Sequence, residues 1–129
     1  MSQRILVVDD EEQVRDLLAL YFRKNQFEVS TASSGKETVE KLQTDQPALV
    51  VLDIGLGGED GLTLLDAIKR KRPETKVVML TGMGFVEDLL EEAHDKGADA
   101  YVSKVLPLDE LLQTVRRLLG ISSQATVGV

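Results

Sequence analysis

Residues with the chemistry to capture a phosphoryl group follow four short apolar runs of this chain. They are, in chain order, Asp9 and Asp10 after residues 5–8, Asp53 after 49–52, Thr81 after 77–80, and Lys104 directly after 101–103. Parallel strands end at the same edge of a sheet, and open α/β sheets bind ligands at that edge. If the runs are neighbouring parallel strands, the sequence predicts that these acids, the hydroxyl and the amine converge on one rim.

The acids of this rim are suited to a divalent metal ion. Three close carboxylates repel one another unless a cation joins them, and an oxygen-only cluster without His or Cys suits Mg²⁺ or Mn²⁺. We predict Asp10 and Asp53 as direct ligands, the backbone carbonyl of Gly55 as a further ligand, and Asp9 as a ligand through water.

Asp53 is the predicted nucleophile, because it stands alone after its strand and a glycine-rich loop follows it. A carboxylate in this position can form an aspartyl phosphate. Attack on phosphorus builds negative charge on the equatorial oxygens, so catalysis consists mostly of positioning and electrostatic stabilisation. We predict that Lys104 and Thr81 supply this stabilisation together with the metal ion.

Each of these residues also has a purely structural interpretation. An Asp between a strand and a helix is commonly an N-cap, and Asp10 could cap the first helix. Thr81 and Gly82 could form an ordinary turn, and Lys104 could be a solvated loop residue. The coincidence of acid, hydroxyl and amine at the ends of adjacent strands favours the functional interpretation.

The apolar runs alternate with segments of helical periodicity, which is typical of βαβ units. Runs 5–8, 49–52 and 77–80 are continuously apolar, as central strands covered on both faces are, whereas 27–32 and 98–103 mix in polar residues, as edge strands do. With right-handed crossovers, this pattern predicts a doubly wound α/β domain over residues 1–120. Its five parallel strands would have the order 2-1-3-4-5, with five helices, and residues 121–129 would form a flexible tail or linker stub.

Composition limits the other function classes. The 129 residues fit one domain, and the formal charge of −7 argues against direct nucleic-acid binding, which needs a basic face. There is no cysteine, which excludes disulfides and thiolate metal sites. No apolar stretch approaches the roughly 18 residues of a membrane span, and no leader opens the chain, so we expect a cytoplasmic domain without membrane contact.

Several motifs, taken together and in order, resemble the receiver domain of two-component response regulators over about residues 4–119. They are Ile5-Leu6-Val7-Val8-Asp9-Asp10-Glu11, Leu52-Asp53-Ile54, Asp60-Gly61, Leu80-Thr81-Gly82 and Tyr101-Val102-Ser103-Lys104. The resemblance implies a flavodoxin-like fold, and the order 2-1-3-4-5 is that of the chemotaxis member of this family.

The resemblance also implies a function. A sensor histidine kinase or phosphotransfer protein would donate the phosphoryl group of a phosphohistidine to Asp53. Thr81 and Tyr101 would then report the phosphate to the face formed by helix 4, strand 5 and helix 5, which would control an output domain or target protein or form a homodimer. The domain would not be an enzyme beyond self-phosphorylation and slow autodephosphorylation.

Two alternatives to this interpretation were considered, and the chain departs from the family pattern directly after the lysine. A degenerate receiver would bind partners without accepting phosphate, although the complete set of acid, Thr and Lys argues against it. An aspartyl-phosphate hydrolase would need a second acid at the position of Gly55.

The family usually has a cis-proline after the lysine, but Val105 follows Lys104 here. Because a non-proline cis bond costs about 3–4 kcal/mol, we expect the Lys104–Val105 peptide to be trans.

Overall fold

Strands and helices alternate strictly along the chain. The computed structural model describes residues 3–55, 60–82, 87–104 and 107–121. The elements are β1 Arg4–Val8, α1 Glu12–Lys24, β2 Glu28–Ala32, α2 Gly35–Asp45, β3 Leu49–Asp53, α3 Gly61–Lys71, β4 Lys76–Thr81, α4 Glu87–Asp95, β5 Ala100–Ser103 and α5 Leu108–Leu119.

The five strands form one parallel sheet in the order β2-β1-β3-β4-β5. This confirms the order predicted from the hydrophobic pattern. All of β3 is buried and β1 and β4 are buried except at their first residues, whereas the edge strands β2 and β5 are partly exposed. The central strands need apolar residues on both faces because helices cover both sides of the sheet.

Alternating side chains of the strands separate the core into two layers. On β1, Leu6 and Val8 join the cluster that packs against α2, α3 and α4, and Ile5 and Val7 join the cluster that packs against α1 and α5. The apolar face of α5 packs in the second cluster, in which Leu111, Leu112 and Val115 are buried.

The start of α1 rules out the structural interpretation of Asp10 as the N-cap of this helix. The N-cap of α1 is Glu11, whose side chain makes no capping bond, so Asp10 does not cap this helix. By contrast, α3 begins at an aspartate cap, since Asp60 accepts a hydrogen bond from the Leu62 N–H at 3.0 Å. The structural alternative for Asp10 therefore does not apply, and its side chain remains available to the site.

Two predictions concern positions outside the described residues, the tail beyond Ile121 and the Lys104–Val105 peptide, and both stay predictions. Within the described ranges, no helix has the combination of length and apolar character that crossing a bilayer requires.

Candidate functional site at the carboxyl edge of the sheet

The carboxyl ends of four adjacent strands bring the predicted residues to one edge. Asp53 and Thr81 are the last residues of β3 and β4, while Asp9 and Lys104 come directly after β1 and β5. The register pairs Asp53 with Leu80 across β3 and β4, which places Thr81 one residue beyond Asp53. The predicted convergence is therefore present in the structure.

Three carboxylates at this edge form a compact group. Asp9, Asp10 and Asp53 each offer an oxygen, and these oxygens lie within 4.8 Å of one another. Asp9 is fully buried, Asp53 is 5% exposed and Asp10 is exposed. Such a set of hard oxygen donors, open to solvent on the Asp10 side, fits a cation such as Mg²⁺ that retains several waters.

Backbone donors orient the two buried carboxylates. Asp9 Oδ1 accepts a hydrogen bond from the Glu11 N–H at 2.9 Å, and Asp53 Oδ1 accepts one from the Gly55 N–H at 3.2 Å. Each carboxylate thus has one oxygen tied to the chain two residues further on. The second oxygen of each, Oδ2, faces the lysine described next.

Lys104 joins the carboxylates. Its Nζ lies 3.0 Å from Asp9 Oδ2, 3.1 Å from Asp53 Oδ2 and 3.8 Å from Glu11 Oε1. The backbone fixes the start of this side chain, because Lys104 N donates to the Thr81 carbonyl at 2.8 Å. Burial by itself would lower the pKa of Lys104, but its bonds and attraction to Asp9 and Asp53 outweigh burial and raise it, so the ammonium is charged at neutral pH.

The environment of Asp9 favours a cation at this edge. Burial raises the pKa of Asp9, and the nearby charge of Asp53 adds to the effect. The Glu11 N–H and the Lys104 ammonium lower it, without fully offsetting burial. Additional positive charge near Asp9 would therefore stabilise the ionised form of this carboxylate.

The two proposed switch residues lie on neighbouring strands. Thr81 is fully buried at the end of β4. Tyr101 of β5 is half-buried, and it packs together with Leu89 of α4 against the core cluster on the α2–α4 side of the sheet. The ring of Tyr101 is therefore in contact with the layer to which α4 belongs.

Two residues of the site have roles that sequence reasoning did not assign. Glu11 approaches Lys104, and in the sequence its signal was its place at the end of the first receiver-like motif, after Asp9 and Asp10. Gly61 packs so tightly against the chain after Asp53 that a Cβ there would lie 2.6 Å from the Ile54 carbonyl oxygen and 2.8 Å from that of Asp53. The Gly61 N–H also donates to the Ile54 carbonyl at 3.2 Å.

A doubly wound parallel sheet with this acidic edge and a lysine at the end of β5 defines the receiver class of signalling domain. The sequence model of the response regulator receiver domain family matches residues 5–116 of this chain. The chain therefore belongs to the response regulator receiver domain family, whose members are signalling domains of two-component systems.

Named relatives agree with this assignment. Transcriptional regulatory protein SrrA of Staphylococcus aureus is 35% identical over 127 residues, which are 98% of this chain and 52% of SrrA. The chain thus spans about half the length of the curated relatives it matches.

Solved structures share the fold. The receiver domain of NtrX from Brucella abortus is 39% identical, with a TM-score of 0.84 over 92% of this chain and 99% of that one. A CheY-like receiver domain protein from Methanospirillum hungatei JF-1 is 28% identical, with a TM-score of 0.87 over 93% and 95% of the two chains.

Proposed function

We propose that this domain accepts a phosphoryl group on Asp53 from the phosphohistidine of a sensor histidine kinase or phosphotransfer protein. The observation that carries this proposal is the position of Asp53: its Oδ2 lies 3.1 Å from the Lys104 ammonium, within the acid cluster that includes Asp9 and Asp10. Membership of the receiver family supports the same role.

In the proposed step, an Asp53 oxygen attacks phosphorus, the phosphorus–nitrogen bond breaks, and the donor imidazole leaves. Asp53 has its Oδ1 held by the Gly55 N–H, so the carboxylate needs little reorientation before attack. The Lys104 ammonium, already beside Oδ2, is placed to stabilise negative charge that develops on the phosphoryl oxygens. We assign the Thr81 hydroxyl the same role from the neighbouring strand end.

We propose Asp10, Asp53 and the Gly55 carbonyl as the protein ligands of Mg²⁺ or Mn²⁺, with Asp9 acting through water. When bound, the ion would neutralise the incoming phosphoryl oxygens. The direct role of Asp10 is supported by its exposure, and the indirect role of Asp9 by its burial and its pairing with Lys104.

A titration distinguishes these two ligand roles. We expect Asp10→Ala to weaken Mg²⁺ binding more than Asp9→Ala, measured by calorimetry on the unphosphorylated protein. Equal affinities, or a larger loss in Asp9→Ala, would contradict the assignment.

We further propose that Thr81 and Tyr101 pass the phosphorylated state to the face of α4, β5 and α5, through the contact of Tyr101 with the layer that contains α4. That face would then act on an output domain or a target protein. Beryllofluoride, a mimic of the phosphoryl group, should shift the amide resonances of α4 in the wild type and much less in Tyr101→Ala. Equal shifts in both proteins would remove Tyr101 from the pathway.

Acetyl phosphate with Mg²⁺ tests the phosphoacceptor itself. Intact-mass measurement should detect one phosphoryl group on the wild type and on Asp66→Asn, a control at a partly exposed carboxylate of α3, but none on Asp53→Asn. Phosphorylation that persists in Asp53→Asn would refute the acceptor. A wild type that binds neither phosphoryl group nor beryllofluoride would favour the degenerate receiver.

A further inference from the structure

A guanidinium group from α1 reaches back to the acidic edge of the sheet. Arg15 lies close to the amino end of the helix Glu12–Lys24, and its Nη1 donates a hydrogen bond to the Asp9 carbonyl at 2.9 Å. The side chain is half-buried. The helix dipole disfavours a cation near the amino end of a helix, so the stability of α1 does not by itself explain this residue.

The carbonyl that Arg15 contacts belongs to the peptide that joins Asp9 to Asp10. A peptide unit is planar, so the direction of the Asp9 carbonyl fixes the plane that contains the Cα of Asp10. On the other side of Asp9, its N–H donates to the Ala32 carbonyl at 3.2 Å. The chain that leaves β1 is thus held by the end of β2 before Asp9 and by Arg15 after it.

The two acids depend on this backbone support to different degrees. The carboxylate of Asp9 is buried and is bonded to the Glu11 N–H and the Lys104 ammonium, so its own contacts fix it. Asp10 is exposed, so burial does not fix its carboxylate. One of its oxygens nevertheless lies within 4.8 Å of oxygens of Asp9 and Asp53. The peptide before Asp10 therefore directs this carboxylate toward the cluster.

We propose that Arg15 is a positioning residue: by holding the Asp9 carbonyl, it orients Asp10 as a ligand of the divalent metal ion. This inference rests on the proposed function, in which Asp10 is a direct ligand. Arg15 acts through one peptide and needs no contact with the metal ion or the phosphoryl group. Replacing a group that orients a metal ligand commonly changes metal affinity by roughly 10–100-fold.

The charge of Arg15 has the opposite effect on a metal ion, so the sign of the change tests the proposal. A cation near the cluster repels Mg²⁺, and loss of the charge alone would therefore strengthen Mg²⁺ binding. This repulsion is partly balanced by the Glu37 carboxylate. The hydrogen bond from the Ser33 N–H is the main cause that lowers the pKa of Glu37, and the charge of Arg15 contributes. We therefore expect the loss of positioning to outweigh the loss of repulsion.

Calorimetric titration of the unphosphorylated protein with Mg²⁺ measures this sign. Arg15→Met keeps an unbranched side chain but removes the donor and the charge, and it should raise the Mg²⁺ dissociation constant roughly tenfold. Arg15→Lys keeps the charge and an N–H donor, so it should recover part of the loss. The control is Arg23→Met, because Arg23 lies on the same helix and also donates to a backbone carbonyl, that of Val29 at 3.1 Å. Its Mg²⁺ affinity should equal that of the wild type.

The variant Asp10→Ala tests whether Arg15 acts through Asp10. Changes at two residues that act through one another are not additive, so Arg15→Met should cause little further loss of Mg²⁺ affinity in the Asp10→Ala background. The same loss in both backgrounds would overturn the proposal. Circular dichroism verifies the fold of each variant.

Phosphorylation by acetyl phosphate separates metal binding from the chemical step. In Arg15→Met the half-saturating Mg²⁺ concentration should rise by the same factor of roughly ten, and the rate at saturating Mg²⁺ should approach that of the wild type. A lower maximal rate with unchanged Mg²⁺ affinity would overturn the positioning role. Unchanged or tighter Mg²⁺ binding by Arg15→Met, with weaker binding by Asp10→Ala, would also overturn it and leave Asp10 as a ligand. The titration needs no phosphoryl donor, so its result does not depend on whether Asp53 accepts phosphate.

Discussion

The Nζ of Lys104 lies 3.1 Å from Oδ2 of Asp53, although β4 separates the two strands that carry these residues. The lysine side chain crosses the end of β4, and its backbone N–H is held by the carbonyl of Thr81 at that strand end. One hydrogen bond at the base of the side chain and two carboxylates at its tip therefore fix a long, flexible residue. In the proposed phosphoryl transfer, this preorganisation would reduce the cost of charge stabilisation.

Replacing Lys104 should slow phosphorylation more than it affects folding. We expect Lys104→Gln to lower the rate of phosphoryl acceptance from acetyl phosphate by about 10²-fold, the usual effect of losing one preorganised donor. Lys24→Gln, at an exposed lysine at the end of α1, removes the same charge and should react at the wild-type rate. Equal rates in all three proteins would exclude a catalytic role for Lys104.

Asp9→Asn should stabilise the metal-free protein at neutral pH. The folded-state pKa of Asp9 is raised above its ordinary value of 3.8, so the folded chain binds this proton more tightly than the unfolded chain. Stability therefore falls as pH rises from the unfolded pKa through the raised one, and the loss persists above it. Asn removes that loss, and its advantage should shrink as pH falls toward 3.8.

Urea unfolding in a chelating buffer, at neutral pH and near pH 4, measures the Asp9→Asn effect. An Asp9→Asn protein less stable than the wild type at neutral pH would show that the pairing with Lys104 outweighs burial. The same variant should bind Mg²⁺ more weakly, which would show that this acid serves metal binding at the expense of stability.

Gly61→Ala should damage the chain that follows Asp53. The added Cβ would meet backbone atoms, the carbonyl oxygens of Ile54 and Asp53, which cannot rotate away as a side chain can. We expect a loss of about 1–3 kcal/mol in unfolding free energy and slower phosphorylation. Gly55→Ala is the control, because a Cβ there has no atom within 4 Å. Similar stability of the two variants would mean that the loop relaxes freely.

The ion pair between Lys69 and Asp99 should stabilise the fold without affecting the site. Asp99 Oδ2 accepts from Lys69 Nζ at 2.7 Å and from the Val77 N–H at 2.8 Å. Asp99→Ala leaves both donors without this acceptor, and we expect a cost of about 2–4 kcal/mol, since largely buried pairs are expensive to break.

The control for Asp99 is Asp66→Ala, which breaks the exposed pair with Arg70 and should cost at most about 1 kcal/mol. Chemical denaturation measures both variants. Because Val77 lies near the start of β4, away from the edge that holds Asp53, the rate of phosphorylation should be unchanged in Asp99→Ala. A selective loss of phosphorylation would instead reveal coupling across the sheet.

The amino-acid sequence by itself determined the architecture. Continuous apolar runs in β1, β3 and β4 and mixed runs in β2 and β5 were sufficient to predict the strand order, because burial on both faces leaves a clear hydrophobic pattern. The same pattern located Asp53, Thr81 and Lys104 at strand ends, since every strand of a parallel sheet ends at the same edge.

Only the tertiary structure decided how the residues of the site differ in burial and in contacts. Asp9 and Asp10 are adjacent in sequence, but Asp9 is buried and Asp10 is exposed. This difference follows from where the chain leaves β1. The reach of Lys104 across β4 and the close approach of Gly61 to Ile54 depend on the packing of segments distant in sequence. Local patterns record hydrophobic period and turn chemistry, whereas distances between such segments arise only when the core is packed.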